Sequence, residues 1–455
     1  MLNFGENERT ILFNIMMKIL VPNNNNLERK YILDQILGEY FRLEYELVFE
    51  DANFDYIFIN GEKELVIKDI FFNQFPNQLE YLSLSNIPNK VFYAKNKYIN
   101  DIVFFWGDDV IEELNNRLFC GVDIFASAFF MLTRWEEFIL REKTGRCEEQ
   151  MLLCVKYGLQ KRAIVNEYCD VLITLLSKIG IIAKRPIYNQ IKITHDVDRC
   201  YLSSYRQLFS NLFPLVFRDK QYKKAFIVLK NFLTYKVKRE NPFDCFNALM
   251  DYSDKYNFIN SFYFKTCRDG EFGCTYTIDN SFVKKTILNI INRGHEVGFH
   301  PSESTFDNDE QFKSEYLRLQ AIAGKVIKGG RNHGLYYNIN TMRQWNGLLD
   351  YDSGFGYQFS NGFRAGICYP YSIFDIYKRE TLKLVEIPFV AMDTVAIRTK
   401  WTPKELFDDI VDVINVVNKY NGIVCFNWHS NQINVLERKK YKWVYFSIID
   451  FLAKK

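Results

Sequence analysis

No histidine occurs before His195, and the chain carries only five: His195, His295, His300, His333 and His429. A catalytic apparatus built on imidazole therefore has to lie in the C-terminal part. No two cysteines have the C-x-x-C spacing. The ten are scattered, at positions such as Cys120, Cys147, Cys200 and Cys274, and without a secretion signal they read as reduced, mostly buried thiols. A surplus of one charge is also missing. The 58 basic and 55 acidic residues leave a formal net charge of +3, which excludes the basic profile of a nucleic-acid-binding domain. No run reaches the roughly 18–20 apolar residues a membrane span requires. The nearest, 121–135 and 170–183, contain Asp123 and Lys178 and read as buried helices. The first nine residues hold acids where a secretion signal needs bases, so a cytoplasmic protein is expected.

What is present is ordinary for a globular chain: 48% hydrophobic and 25% charged residues, with a high aromatic share of 17%. Aromatic rings suit large cores and sugar-binding clefts alike. With 455 residues, two domains are the default. Residues 1–185 read as a mixed α/β accessory domain. Apolar runs at 56–61 and 64–68 suggest a hairpin around a glycine turn. Residues 122–141 suggest a helix in which Phe125, Phe129, Leu132 and Phe138 alternate with Arg134, Glu136 and Glu137. No catalytic constellation is visible there, which leaves docking, oligomerisation or covering the second domain.

From residue 186 to 455 the pattern changes to strand and helix in alternation. Strands are expected at 191–194, 261–264, 296–299, 384–387 and 422–426, and helices at 242–256, 281–293, 310–327 and 403–419. The last helix opens with Thr402-Pro403-Lys404-Glu405, an N-cap followed by proline at the first helical position. Such alternation implies a parallel sheet, and the number of repeats fits a barrel with its active site at the carboxyl ends of the strands. Residues 199–240 read as a helical insertion whose basic stretch runs from Arg218 to Arg239. A solvated face accounts for it. The alternative is peripheral contact through 218–239 with an anionic glycan, a lipid-linked substrate or a membrane surface.

The chemistry-bearing residues fall where those strands end. In Thr194-His195-Asp196-Val197-Asp198 the two aspartates point to one side of an extended segment. Carboxylates that close resist joint ionisation, and a divalent cation on one, with the other left as a base, resolves the conflict; a helix N-cap or surface turn is the plainer reading. Gly294-His295-Glu296-Val297-Gly298-Phe299-His300-Pro301 presents His300 at a strand mouth that proline closes. His295 lies an odd number of residues away and faces the other side, as a structural or supporting residue. In Gly329-Gly330-Arg331-Asn332-His333-Gly334, Arg331 suits a bidentate carboxylate contact and His333 suits a ligand. The last strand ends in Trp428-His429.

Together these motifs resemble the polysaccharide deacetylases, carbohydrate esterases that remove acetyl groups from glycans. The resemblance covers about residues 186–455 and implies a distorted (β/α)7 barrel behind the smaller N-terminal α/β domain. Thr194–Asp198 is similar to the family's first motif, with Asp196 as base and Asp198 as metal ligand. His300 matches its ligand histidine and Arg331 the arginine that steadies the base. Asp352 is the nearest match to its fourth aspartate, and His429 to its general acid. Two departures stand out: Ser304 occupies the position of a second histidine ligand, and His333-Gly334 replace a proline and tyrosine. His333 could compensate as third ligand beside Asp198 and His300, leaving a position for water, with Zn2+ the expected metal.

The reaction so implied is removal of an acetyl group from an N-acetylated sugar or glycan intermediate. Metal-bound water attacks, Asp196 takes its proton and His429 protonates the leaving amine, while Arg331 and Asp352 orient base and acid. Trp428 and Tyr369 are expected to stack on sugar rings. Two other readings are a barrel that binds a glycan or partner without turnover, and a hydrolase of another C–N bond such as a cyclic imide or formyl amide.

Overall fold

The computed structural model describes residues 17–52, 54–144, 147–201, 208–209, 212–238, 241, 243–267, 275–434 and 438–454. Compactness divides the chain into two units. The first takes Met1–Tyr81, Lys90–Ala128 and Glu167–Arg185, and the second takes Leu82–Asn89, Phe129–Asn166 and Pro186–Lys455. A boundary falls after residue 185, where the sequence changes character, but the chain crosses between units before that point.

In the first unit the strands are β1 (Met17–Pro22), β2 (Tyr45–Glu50), β3 (Tyr56–Asn60), β4 (Lys63–Ile67), β5 (Phe92–Ala94), β6 (Ile102–Phe104), β7 (Gly107–Leu114) and β8 (Arg117–Val122). Six of them form a mixed sheet in the order β2-β1-β3-β4-β8-β7, and β5 pairs with β6. The expected hairpin is β3–β4, antiparallel with Tyr56 opposite Ile67, and Gly61 turns it at φ +62°. Arg29 and Asp69, both fully buried, pair at 2.7 Å. The helix expected over 122–141 is in fact two, Ile124–Thr133 and Trp135–Thr144. Arg134 adopts φ +55° between them, and a left-handed residue stops an α-helix.

The second unit is built on β9 (Gln190–Val197), β10 (Asn260–Phe264), β11 (Glu296–Phe299), β12 (Gly329–Gly330), β13 (Tyr351–Asp352), β14 (Tyr371–Asp375), β15 (Glu380–Glu386), β16 (Ala391–Met392) and β17 (Ile423–Asn427). The sheet order is β14-β15-β13-β12-β11-β10-β9-β17-β16, parallel throughout except for β14 against β15. It is a parallel α/β core, as the alternation implies. Its end strands β14 and β16 are not paired with each other among the described residues.

Two topological facts position the site. The first strand, β9, lies between the second and the last, β10 and β17, so residues far apart in sequence share one carboxyl edge. At β12 the backbone approaches its neighbours closely. A Cβ on Gly330 would stand 1.8 Å from the Phe299 carbonyl oxygen, and one on Gly329 would stand 2.3 Å from the Tyr351 ring. Only glycine fits there, and the chain delivers Arg331 immediately beyond.

Helices Phe246–Asp254, Ser281–Asn292, Asp309–Ala323 and Pro403–Lys419 lie close to the expected ranges. Helix Asp309–Ala323 stops earlier than 327 because Gly324 caps it at φ +66°. Helix Pro403–Lys419 carries a full capping box between Thr402 and Glu405. Within 199–240 the structure shows a π-helical turn, Pro214–Arg218, and helix Tyr222–Lys238. Arg239, Cys274 and the first sixteen residues lie outside the described residues. Eight cysteines are free thiols, but Cys267 is in a disulfide, so the expectation that every cysteine is reduced fails. No helix among the described residues is long and apolar enough to cross a membrane.

Candidate metal centre and catalytic residues

Thr194, His195 and Asp196 are buried at the end of β9, with Asp198 just past it and partly open. Alternation along the strand sends Asp196 and Asp198 to one side and His195 to the other. His195 lies in the core, 4.7 Å from the Phe262 ring, with Nδ1 2.7 Å from the Trp428 carbonyl oxygen. His295 likewise takes no part: its Nδ1 accepts from the Asn260 N–H at 3.1 Å and its Nε2 lies 3.1 Å from Asp254.

Asp196 is held from two directions. Arg331 Nη1 donates to its Oδ1 at 2.9 Å and Asn427 Nδ2 donates to its Oδ2 at 2.9 Å. Arg331 is fully buried, and its fork is fixed by donation to the Ser353 carbonyl and to Thr194 Oγ1 at 3.1 Å. Burial pushes the Asp196 carboxyl up, but Arg331, then His300 and His429, outweigh it and hold it below the usual value. The carboxylate is therefore ionised and aimed.

Asp198 Oδ1 lies 3.6 Å from His300 Nε2, 3.7 Å from His333 Nε2 and 3.3 Å from Lys265 Nζ. Ligand atoms of Asp198, His300 and His333 all fall within 4.8 Å of one another. The outer nitrogen of each imidazole is occupied: His300 Nδ1 is 2.7 Å from the Arg331 carbonyl oxygen, and His333 Nδ1 is 3.0 Å from Glu303 Oε1. Such partners fix the tautomer and turn the Nε2 lone pair inward. Asp198 Oδ1 and His300 Nε2 are both buried without a hydrogen-bond partner. Buried polar atoms left that way are costly unless something binds them. Burial, then His300 and Lys265, push the His333 ring down to about 4, so it is neutral near pH 7 and free to ligate. One carboxylate and two imidazoles converging on a common point fit a divalent cation with a position open for water. Ser304, at the position of the missing histidine, is 3.0 Å from Ser302 Oγ.

On the other side, His429 Nε2 lies 3.8 Å from both Asp196 Oδ2 and Asp198 Oδ2, and its Nδ1 is 2.7 Å from Asp393 Oδ1. Burial drives the imidazole down, but Asp393, then Asp196 and Asp198, outweigh it and raise it to about 9. The ring carries its proton at neutral pH and can release it.

Three expectations need correction. Asp352, expected to orient the acid, is buried at the end of β13; the aspartate that touches His429 is Asp393. Asp352 Oδ1 has no hydrogen-bond partner, burial raises the carboxyls of Asp352 and Glu386, and the Asp352 carboxyl raises that of Glu386 further. Trp428 and Tyr369, expected as sugar platforms, are each 1% exposed. Trp428 packs 5.6 Å from the Tyr445 ring, and the Tyr369 hydroxyl donates to the Tyr420 carbonyl at 2.8 Å. An aromatic next to a site residue in sequence faces the opposite side of an extended chain.

Sequence reasoning missed Asp393, Asn427 and Lys265. Asn427 had a usable signal, standing two residues before His429 and so on the same side. Lys265 had another, as a charge directly after the wholly buried strand β10.

Residues 17–180 match the model of DUF7033, a family of unknown function. No curated protein matches the chain. Among solved structures, the chain is similar to a protein assigned as a polysaccharide deacetylase from Mycobacterium smegmatis, at 15% identity over 58% of this chain and 84% of that one, TM-score 0.38. It is similar to PuuE allantoinase at 9% identity over 58% and 84%, TM-score 0.39. A third likeness is to the catalytic domain of a peptidoglycan N-acetylglucosamine deacetylase from Eubacterium rectale, at 12% identity over 58% and 87%, TM-score 0.27.

With His429 as the expected acid, its contact with Asp393 sets a pH dependence. An acid whose imidazolium is favoured stays protonated to higher pH, so its contribution is lost as pH rises through about 9. In Asp393→Asn the largest favourable partner is gone. The basic limb of kcat against pH is then expected to move toward the ordinary histidine value of 6.5, with kcat at neutral pH down about tenfold, part of the roughly 10²–10⁴ that proton transfer supplies. An unchanged basic limb would remove His429 from the acid role.

Proposed function

We propose that the second unit is a metal-dependent hydrolase that removes the acetyl group from an N-acetylated sugar or glycan intermediate. The observation that carries this reading is the asymmetry of the site. An ionised, anchored carboxylate (Asp196) and a protonated imidazole (His429) face a point bordered by three converging ligand groups. Pairs of titratable groups pushed apart by their surroundings mark the base and the acid.

When bound by Asp198, His300 and His333, a divalent cation, with zinc the expectation, supplies Lewis-acid polarisation of the acyl carbonyl and a lower pKa for water. Asp196 accepts a proton from the attacking water at its Oδ2, whose other contact is the amide of Asn427. Arg331 keeps that carboxylate from rotating. His429 gives the proton on Nε2 to the departing amine, and Asp393 stabilises the imidazolium before transfer. The 3.8 Å gaps around His429 Nε2 exceed hydrogen-bond length, as is common for catalytic contacts before substrate arrives.

The test is a substrate panel: N-acetylhexosamine oligosaccharides, nucleotide-linked N-acetyl sugars, cyclic imides and formyl amides, given to zinc-loaded protein. Acetate and primary amine appearing in equal amounts from an N-acetyl sugar is the expected result. Ring opening of a cyclic imide or formate release, with no acetate, would replace this reading by a different C–N hydrolase. Zinc uptake without turnover of any member would leave a binding barrel.

A further inference from the structure

The insertion after β9 leaves the sheet just beyond Asp198 and returns near Asn241, whose Nδ2 donates to the Cys200 carbonyl at 2.7 Å. Its main element is helix Tyr222–Lys238. At about 100° per residue, Tyr222, Phe226, Leu229, Leu233 and Val237 fall within one arc of about 80°. All five are exposed, from 38% at Leu229 to 81% at Val237. Ala225 and Phe232, on an adjoining face, are buried. The helix thus has one covered apolar face and one bare apolar face, whereas a helix of a globular surface turns polar residues outward. Phe213 and Phe217, 66% and 68% exposed, add to the bare apolar surface ahead of the helix.

Charge decides what such a face suits. Between 208 and 238, Asp219 is the lone acid among seven basic residues, and Arg218 pairs with it at 2.8 Å. On the helical wheel Lys223 and Lys230 border one side of the stripe and Lys236 borders the other. Lysine is depleted from the cores of protein–protein interfaces. At a bilayer surface the same arrangement is favourable: aromatic and aliphatic side chains enter the acyl boundary, and flanking lysines reach up to anionic headgroups. We propose that this helix docks the protein on an anionic lipid bilayer, lying in the plane of the interface with the Tyr222–Val237 stripe inserted. The proposal does not depend on the reaction assigned to the site. Docking would tether the strand end that carries Asp198 to the bilayer.

The experiment is co-sedimentation of the full chain with vesicles of phosphatidylcholine, alone or mixed with phosphatidylglycerol, at about 0.1 M and about 1 M salt. Wild type is expected to partition onto the anionic vesicles at least about tenfold more strongly than onto neutral ones at low salt, and to lose that preference at high salt. The double variant Phe226→Glu/Leu233→Glu, whose sites are exposed and whose melting temperature should match wild type, is expected to lose about tenfold or more of the partitioning. Lys223→Gln/Lys230→Gln should weaken binding to anionic vesicles only. No partitioning of wild type would overturn the proposal, as would a double variant that partitions like wild type. A wild-type dimer in light scattering that the double variant dissolves would assign the face to a second copy instead.

Discussion

Replacing His300 by alanine is expected to empty the metal centre. Purified without chelators, wild type should hold about one equivalent of transition metal, the stoichiometry of a three-ligand site. His300→Ala and His333→Ala should each lower affinity by more than about a hundredfold, since even a supporting partner of a ligand commands 10–100-fold. The two variants do not fail alike. His300 is buried, tied through Nδ1 to the Arg331 carbonyl, so its loss also opens a cavity next to the arginine that anchors Asp196. His333 is partly open and tied to the exposed Glu303, so its loss should reduce metal content with little change in melting temperature. Metal content read by plasma mass spectrometry, with melting temperature alongside, separates the cases. Full metal retention in His333→Ala would exclude that histidine as a ligand.

The second large effect belongs to Asp196. Asp196→Asn should lower acetate release by about 10²–10⁴, the range of a general base, while metal content stays near wild type because Asp198, His300 and His333 are untouched. A cost in stability is expected as well. Arg331 is fully buried with Asp196 as its carboxylate partner, and removing one charge of a buried pair commonly costs about 3–5 kcal/mol. Assays therefore belong well below the variant's own melting temperature. Turnover within threefold of wild type, measured on folded and metal-loaded protein, would show that the proton goes elsewhere.

How much of this was legible beforehand depends on how local each signal is. Asp196, Asp198, His300, Arg331 and His333 stand at strand ends or in a glycine loop, and strand periodicity with punctuation by Gly and Pro marks such places. Register is what sequence leaves out. Asn427 sits opposite Thr194, which brings the last strand against the first and places its amide on Asp196. Asp393 follows the two-residue strand β16, too short to show any periodicity, and reaches His429 only because β16 pairs with β17. Asp352 was misassigned for a related reason. It lies opposite Gly330 and Glu386 in the sheet, so its neighbourhood is set by two strands distant in sequence. Trp428 and Tyr369 show that aromatic type alone does not tell a platform from a core residue. The early helix break at Arg134 escaped because the left-handed turn there involves a residue type that ordinarily continues a helix.

That break opens onto a buried cluster: Arg134 and Arg364 both pair with Glu137, and the Tyr337 hydroxyl donates to the same carboxylate. Glu137 belongs to a stretch of chain placed well before residue 186, yet it neutralises charges within the second unit. The unit that carries the candidate site is therefore not a cassette that recombination or truncation can lift out at a single joint. A gene fragment starting at codon 186 would encode Arg364 without its counter-ion, leaving a charge stranded in the interior. An exchange of the second unit would have to carry residues 129–166 along with the sheet that holds the candidate site.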